Sequence, residues 1–325
     1  MFETHPYSTL VSQYLQERSF PQTPAYLYDP IRYILSLSGK RIRPMLALMG
    51  ARLFGKENLQ EVLPASCAIE YFHNFSLIHD DIMDKAPLRR GKPTVHMQWN
   101  DNVAILSGDA LLVKAYEELA YCSADKIPAL LRVFNQVALE VCEGQQLDMD
   151  FENTEIVSEQ AYLNMIKLKT SVLLGGALKM GAILSDASEE QQQLIYDFGV
   201  NLGIAFQLQD DFLDVYGDPS SFGKQVGGDI LCDKKTILRI RTQQLAEGEN
   251  KEELQNLLFP KQLSDEEKIT RMKKLYSTLA VDEYTNQLKE KYMQLAYNQL
   301  SAIDVPEANK AELFALADML MNRVK

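Results

Sequence analysis

The sequence predicts an all-α fold, and three observations carry that prediction. Apolar residues recur at helical spacing almost throughout, no stretch sustains the alternation of a half-buried strand, and glycine and proline gather in the gaps between periodic segments. In chain order, Asp29-Pro30 reads as an N-cap followed by proline at the first helical position, opening a helix that runs through Leu37 and stops near Gly39. Further helices are expected near 43–54, 59–84, 101–122, 128–148, 159–184, 188–216, 234–246, 249–258, 264–278, 281–302 and 307–323. Pro87, Gly91 and Pro93 mark a loop after the 59–84 helix; Gly217, Pro219, Gly223, Gly227 and Gly228 mark a longer one after the 188–216 helix. Nothing resembling a linker divides the 325 residues, so 1–325 is expected to form a single large helical domain around a central cavity.

Composition excludes several classes of function. A formal net charge of −12 argues against nucleic acid, whose phosphate backbone demands a positive footprint. No apolar run approaches the roughly 20 residues of a membrane-spanning helix. The start, Met1-Phe2-Glu3-Thr4-His5-Pro6, lacks the basic and apolar regions of a signal peptide. A cytoplasmic protein with no stable membrane insertion is expected. Cys67, Cys122, Cys142 and Cys232 are scattered without C-x-x-C spacing, the usage of reduced thiols rather than of a zinc site or disulfide framework.

Two acidic pentads of one form, Asp80-Asp81-Ile82-Met83-Asp84 and Asp210-Asp211-Phe212-Leu213-Asp214, each close an apolar helical stretch. In a helix the first and last carboxylates of Asp-Asp-x-x-Asp lie one turn apart, about 6 Å along the axis, on one face. Oxygen donors so spaced suit a hard cation such as Mg²⁺, which takes one or two carboxylates and completes its shell with water and substrate phosphate. One such pentad alone most often marks a solvated helix face. Here the flanks decide: 68–79 and 199–209 are too apolar for exposed helices. On a helical wheel His73, Ser76, Asp80 and Asp84 share one stripe, and Gly203, Gln207, Asp210 and Asp214 another. Polar stripes on buried helices imply a lined cavity.

Basic clusters supply the local charge reversal that an anionic substrate needs. Gly39-Lys40-Arg41-Ile42-Arg43-Pro44 lies at a helix junction, and Arg89-Arg90-Gly91-Lys92-Pro93 follows the first pentad closely. Arginine grips phosphate oxygens in pairs and lysine adds a compact charge, so both suit a diphosphate beside Mg²⁺. Lys169-Thr170 sits inside an apolar helix, and Lys224, Lys234 and Lys235 bracket the glycine-rich loop. His73 reads as a neutral or cationic phosphate donor. Gln207 hydrogen-bonds a diphosphate, holds an aspartate, or is a buried structural amide.

Taken in order, Gly39-Lys40-Arg41-Ile42-Arg43-Pro44, Asp80 to Asp84 with Leu88-Arg89-Arg90-Gly91-Lys92-Pro93-Thr94, Lys169-Thr170, and Phe206-Gln207-x-x-Asp210-Asp211-x-x-Asp214 resemble the trans-isoprenyl diphosphate synthases, the polyprenyl synthetase family. The resemblance covers most of the chain. It implies a homodimer of all-helical subunits, each with a central cavity whose mouth carries both pentads. It also implies that Asp80, Asp84 and Asp210 ligate three Mg²⁺ ions, with Mn²⁺ a substitute, and that Asp81, Asp211 and Asp214 support them directly or through water. Arg89, Lys169, Lys224 and Lys234 would contact the allylic diphosphate; Lys40, Arg43, His73 and Arg90 would hold isopentenyl diphosphate.

The implied chemistry is ionisation, condensation and elimination. Cations that bind the departing diphosphate more strongly in the transition state lower the barrier. The double bond of isopentenyl diphosphate then attacks the allylic cation, and pyrophosphate removes a proton. Water must be excluded, with the 217–233 loop as the lid. The product grows along the helix preceding Asp80, where Phe75 and Ser76 occupy the family's usual stopping positions and Phe72 lies one turn deeper. One aromatic followed by a small residue resembles the short-chain geranylgeranyl pattern, C20, ahead of C15 or longer chains. A class I terpene cyclase would not need the second diphosphate site, and a non-catalytic regulatory subunit would have lost one pentad.

Overall fold

A computed structural model describes residues 5–37, 39–217, 226–259 and 263–321. In chain order the helices are α1 (Pro6–Glu17), α2 (Ala25–Ser36), α3 (Ile42–Leu53), α4 (Leu63–Met83), α5 (Val95–Gln98), α6 (Asp101–Leu119), α7 (Ile127–Glu152), α8 (Glu159–Ile166), α9 (Val172–Ile183), α10 (Glu189–Tyr216), α11 (Gly228–Leu231), α12 (Ile237–Leu245), α13 (Gly248–Leu258), α14 (Asp265–Thr278), α15 (Val281–Ala302) and α16 (Glu307–Met321). Among the described residues the one extended pairing is a hairpin of Leu88–Arg89 (β1) with Lys92–Pro93 (β2), so the fold is all-α as predicted. Arg90 and Gly91 turn that hairpin with φ of 53° and 73°, the paired left-handed conformation whose twist suits a two-residue connection.

The fold divides into two compact units. One takes the chain up to Ala138 with Leu173–Tyr196 and Ile303–Asn309; the other takes Leu139–Val172, Asp197–Ala302 and the chain from Lys310. In the first unit α4 is the central element, packed chiefly on α6 and also on α3. Its residues from Leu63 to Phe72 are buried on every side, as a helix without a polar face must be. Toward its C-terminal end the burial relaxes, leaving His73, Phe75, Ser76 and Asp80 half-buried and Asp84 exposed. In the second unit the α10 segment from Asp197 plays the matching role, with Leu202, Ala205 and Leu208 buried ahead of a half-buried Asp210.

Apart from shifts of a few residues at helix ends, as where the 128–148 helix runs from Ile127 to Glu152, three departures from the sequence expectation stand out. Helix α2 begins at Ala25, so Pro30 lies inside it and Asp29 is no N-cap. Asp29 instead accepts from Arg32 at 2.6 Å, and the first-turn carbonyl of Leu27 is satisfied by the Ser107 hydroxyl at 3.0 Å. The 59–84 segment splits into a 3-10 turn, Leu59–Glu61, and α4, because Pro64 lacks the N–H that would continue a helix from 59 and sits instead in the first turn of α4, where that donor is not needed. Helices α1, α5 and α11 lie outside the expected set; α1 buries only Ser8 and Val11, too little for a readable apolar stripe.

The third departure interrupts the expected 159–184 helix with a π-helical turn, Lys167–Ser171, between α8 and α9. Two glycines explain it. A Cβ on Gly144 of α7 would overlap the backbone of Lys169, and one on Gly203 of α10 would stand 2.7 Å from the Ser171 Cα. Backbone therefore packs on backbone at both sides of the widened turn, which displays Lys169 and Thr170. Such turns are rare and concentrate at functional sites. Gly144→Ala is expected to displace this turn, lowering the melting temperature by several degrees and weakening diphosphate binding. Calorimetry and substrate titration check both; an unaffected KM would uncouple the turn from the site.

Candidate diphosphate and metal site

The first unit gathers two differently charged groups of side chains around the open end of α4. In one, the β1 residue Arg89 reaches back to the first pentad. Its Nε and Nη2 donate to the two Asp81 oxygens at 2.8 and 2.7 Å, and Nη2 also lies 3.4 Å from Asp80 Oδ2. Asp81, 1% exposed, is thus the pentad's buried anchor. Burial pushes its carboxyl upward against the opposing pull of Arg89. Asp80 and Asp84 occupy the outer positions one turn apart, where Asp84 caps the helix.

The other group is cationic. Arg43 donates from Nη1 to His73 Nε2 at 3.3 Å, and since guanidinium can only donate, His73 must be neutral there. Burial, then the charges of Arg43, Arg90 and Arg89, hold the imidazole well below its usual pKa. In this arrangement His73 is a neutral member of the cluster. Burial also lowers Arg43 to about 10, and its Nε is enclosed without an acceptor. Arg90 donates to the Leu37 carbonyl at 3.2 Å and passes over Gly39, where a Cβ would stand 2.5 Å from Nη1. Lys40 lies exposed at the same junction. Two guanidiniums, Arg43 and Arg90, and a neutral imidazole are thus arranged as a polyanion would need them.

In the second unit the other pentad is organised around Asp211, which is buried. It accepts a short hydrogen bond from the Tyr162 hydroxyl and one from Gln207 Nε2 at 3.1 Å. Burial and the charge of Asp229 raise its carboxyl to about 7, opposed by Tyr162, Lys234 and Gln207. Gln207 thus holds an aspartate, and Thr170 donates to its Oε1 at 3.4 Å. Lys169 pairs with Asp148 at 2.6 Å. Asp214 accepts the Asp229 amide at 2.9 Å and so tethers the start of α11. Asp210 is half-buried and Lys234 exposed. Lys224 lies outside the described residues.

The family model for polyprenyl synthetase matches residues 24–279. The chain belongs to the polyprenyl synthetase family. It is 37% identical to a geranylgeranyl pyrophosphate synthase of Geoglobus acetivorans over 97% of this chain and 96% of that protein. It is 35% identical to a geranylfarnesyl diphosphate synthase of Aeropyrum pernix over 93% and 96%. A crystal structure of a geranylgeranyl pyrophosphate synthase superimposes with a TM-score of 0.92 at 43% identity, covering 99% of each chain.

Members of this family generally use Mg²⁺, and the donor set here fits such an ion. Among the described residues no three His, Cys, Asp or Glu side chains close into a cage. Mg²⁺ does not ask for one, since it keeps waters and shares substrate phosphate. Each pentad instead offers outer aspartates beside one that is buried and already hydrogen-bonded. Tyr162, Asp148 and Asp229 went unrecognised in the sequence. Tyr162 reads as core, while Asp148, one turn from the tightly packed Gly144, and Asp229, directly after Gly227-Gly228, stand beside glycines that signal close backbone approach.

Proposed function

We propose that the protein is a prenyltransferase that condenses isopentenyl diphosphate with an allylic diphosphate to give an all-trans short-chain prenyl diphosphate, chiefly geranylgeranyl diphosphate. One observation carries this reading: the open end of α4 combines an acidic group, Asp80 and Asp84 held beside Arg89, with a separate cationic group, Arg43, His73 and Arg90. A metal-bound diphosphate matches the first, and a metal-free diphosphate matches the second. Two such subsites favour condensation of two substrates over cyclisation of one.

In this reading Asp80, Asp84 and Asp210 are the direct ligands of three Mg²⁺ ions, with Asp81, Asp211 and Asp214 fixing them from behind. When bound, the ions neutralise charge developing on the departing diphosphate. Arg89 and Lys169 add donors to that leaving group, and Lys224 and Lys234 assist. Lys40, Arg43, His73 and Arg90 orient isopentenyl diphosphate, so that its double bond meets the allylic carbon. Thr170 and Gln207 keep the Asp211 carboxylate in place, and no protein nucleophile is required. The chain acts as one catalytic domain within a homodimer. Ile105, Leu106, Val113 and Tyr116 support the dimer, since they expose an apolar face along α6. Among the described residues no helix is long and apolar enough to cross a membrane, in keeping with a cytoplasmic enzyme.

The test is incubation of purified protein with Mg²⁺, isopentenyl diphosphate and each of dimethylallyl, geranyl and farnesyl diphosphate, with products read by mass. A C20 product from each primer is expected, and EDTA should abolish it. Absence of elongation with every primer overturns the assignment. The relative named for geranylfarnesyl synthesis makes C25 the second reading, distinguished in the same spectra.

A further inference from the structure

The second unit contains a cavity of about 400 Å³ to which neither pentad contributes. It lies among the end of α7 with the turn that follows it, the segment leading into α12, α12 itself, and α13. Its volume falls in the range of small-molecule sites. Part of its lining is apolar, from Leu254, Leu258 and Phe259, and Phe259 is 79% exposed. Another part is cationic, from Lys235, Arg239 and Lys251.

Arg239 sets this cavity apart. It is 8% exposed, spends Nη1 on Gln243 Oε1 at 2.8 Å, and has an enclosed Nε without an acceptor. Asp233, whose field reaches it, is ion-paired to Lys268 at 2.9 Å. Lys235 is fixed by the Glu152 carbonyl at 3.1 Å, which orients its charge without neutralising it. Glu152, Glu155 and Asp233 also line the cavity, but all three are exposed, where solvent screens them far more than it screens a buried guanidinium. Buried charge is costly unless paired, and here no carboxylate of the chain pairs with it among the described residues.

We propose that this cavity binds a small amphiphilic anion, a phosphate or carboxylate headgroup on a short apolar chain. The headgroup engages Arg239 with Lys235 and Lys251, and the chain lies against Leu254, Leu258 and Phe259. Guanidinium supplies paired donors to either headgroup. Short prenyl phosphates and medium-chain carboxylates both have this chemistry.

A Phe259→Trp substitution places a reporter in the cavity, and wild-type protein, with Trp99 as its one tryptophan, gives the background. Fluorescence is titrated with geranyl monophosphate, decanoate, decanol and inorganic phosphate, all in EDTA to silence metal-dependent binding at the pentads. The expected result is a saturable change with one or both amphiphilic anions and none with decanol or phosphate. Arg239→Gln should weaken it about tenfold or more, and Lys251→Gln severalfold. Which anion binds identifies the headgroup. Lys251 is exposed, so its variant folds even where Arg239→Gln does not. No saturable change with either anion, an equal response to decanol or phosphate, or unchanged affinity in Lys251→Gln overturns the proposal. Because the reporter sits in this cavity, the outcome is independent of whether the protein elongates prenyl diphosphates.

Discussion

Asp80→Ala and Asp210→Ala are each expected to lower kcat on the order of 10³-fold, the scale seen when a preorganised charge partner of a transition state is removed. Both proteins should stay folded. Asp80 and Asp210 are half-buried, each sits in a helix where alanine is at ease, and neither is the buried anchor of its pentad. The melting temperature should remain within about 4 °C of wild type, the shift that ~1 kcal/mol produces in a chain of this size. Turnover with isopentenyl diphosphate and farnesyl diphosphate, beside calorimetry, separates catalytic loss from unfolding. Near-normal kcat in either variant would remove that aspartate from the metal assignment.

The anchors explain why a pentad reads as a unit in sequence but acts as separate parts in the fold. On a helical wheel Asp80, Asp81 and Asp84 differ only by angle. What sorts them is Arg89, brought back by a hairpin whose Arg90-Gly91 turn looks like plain loop in the sequence. The second pentad is sorted likewise by Tyr162, whose hydroxyl meets Asp211 across 49 positions of sequence. Helical periodicity reports which face of one helix is buried, and so α4 and α10 with their polar ends were legible. It carries no record of a partner from a distant segment. The π turn at Lys169-Thr170 stayed hidden for the same reason, because its cause is the close approach of Gly144 and Gly203 rather than anything in residues 159–184. Pro30 misplaced the start of α2 because its missing N–H frees only the carbonyl four residues ahead, that of Tyr26, which lies in the first turn of a helix that begins at Ala25 and is 72% exposed.

Phe75→Ala should shift the main product from C20 to C25 and leave condensation intact. Phe75 is half-buried five residues before Asp80, about 7.5 Å along the axis at 1.5 Å per residue, on the face of α4 that carries His79. Its ring meets His79 edge-on at 4.6 Å and Phe72 at 5.7 Å. Phe72 is different in kind: 1% exposed, it packs edge-on against Phe134 of α7 at 5.5 Å, and Phe134 is backed by Tyr116 at 5.0 Å. Removing the Phe75 ring therefore opens space down to a second aromatic layer one turn deeper, and that layer keeps its support. A gain limited to one isoprene unit follows, rather than open-ended growth. Ser76, its hydroxyl committed to the His73 carbonyl at 2.8 Å, already leaves its side of the helix open. Product masses from farnesyl diphosphate and excess isopentenyl diphosphate decide the matter. An unchanged C20 peak would place the floor elsewhere, and a ladder running well past C25 would show that Phe72 and Phe134 do not hold as a layer.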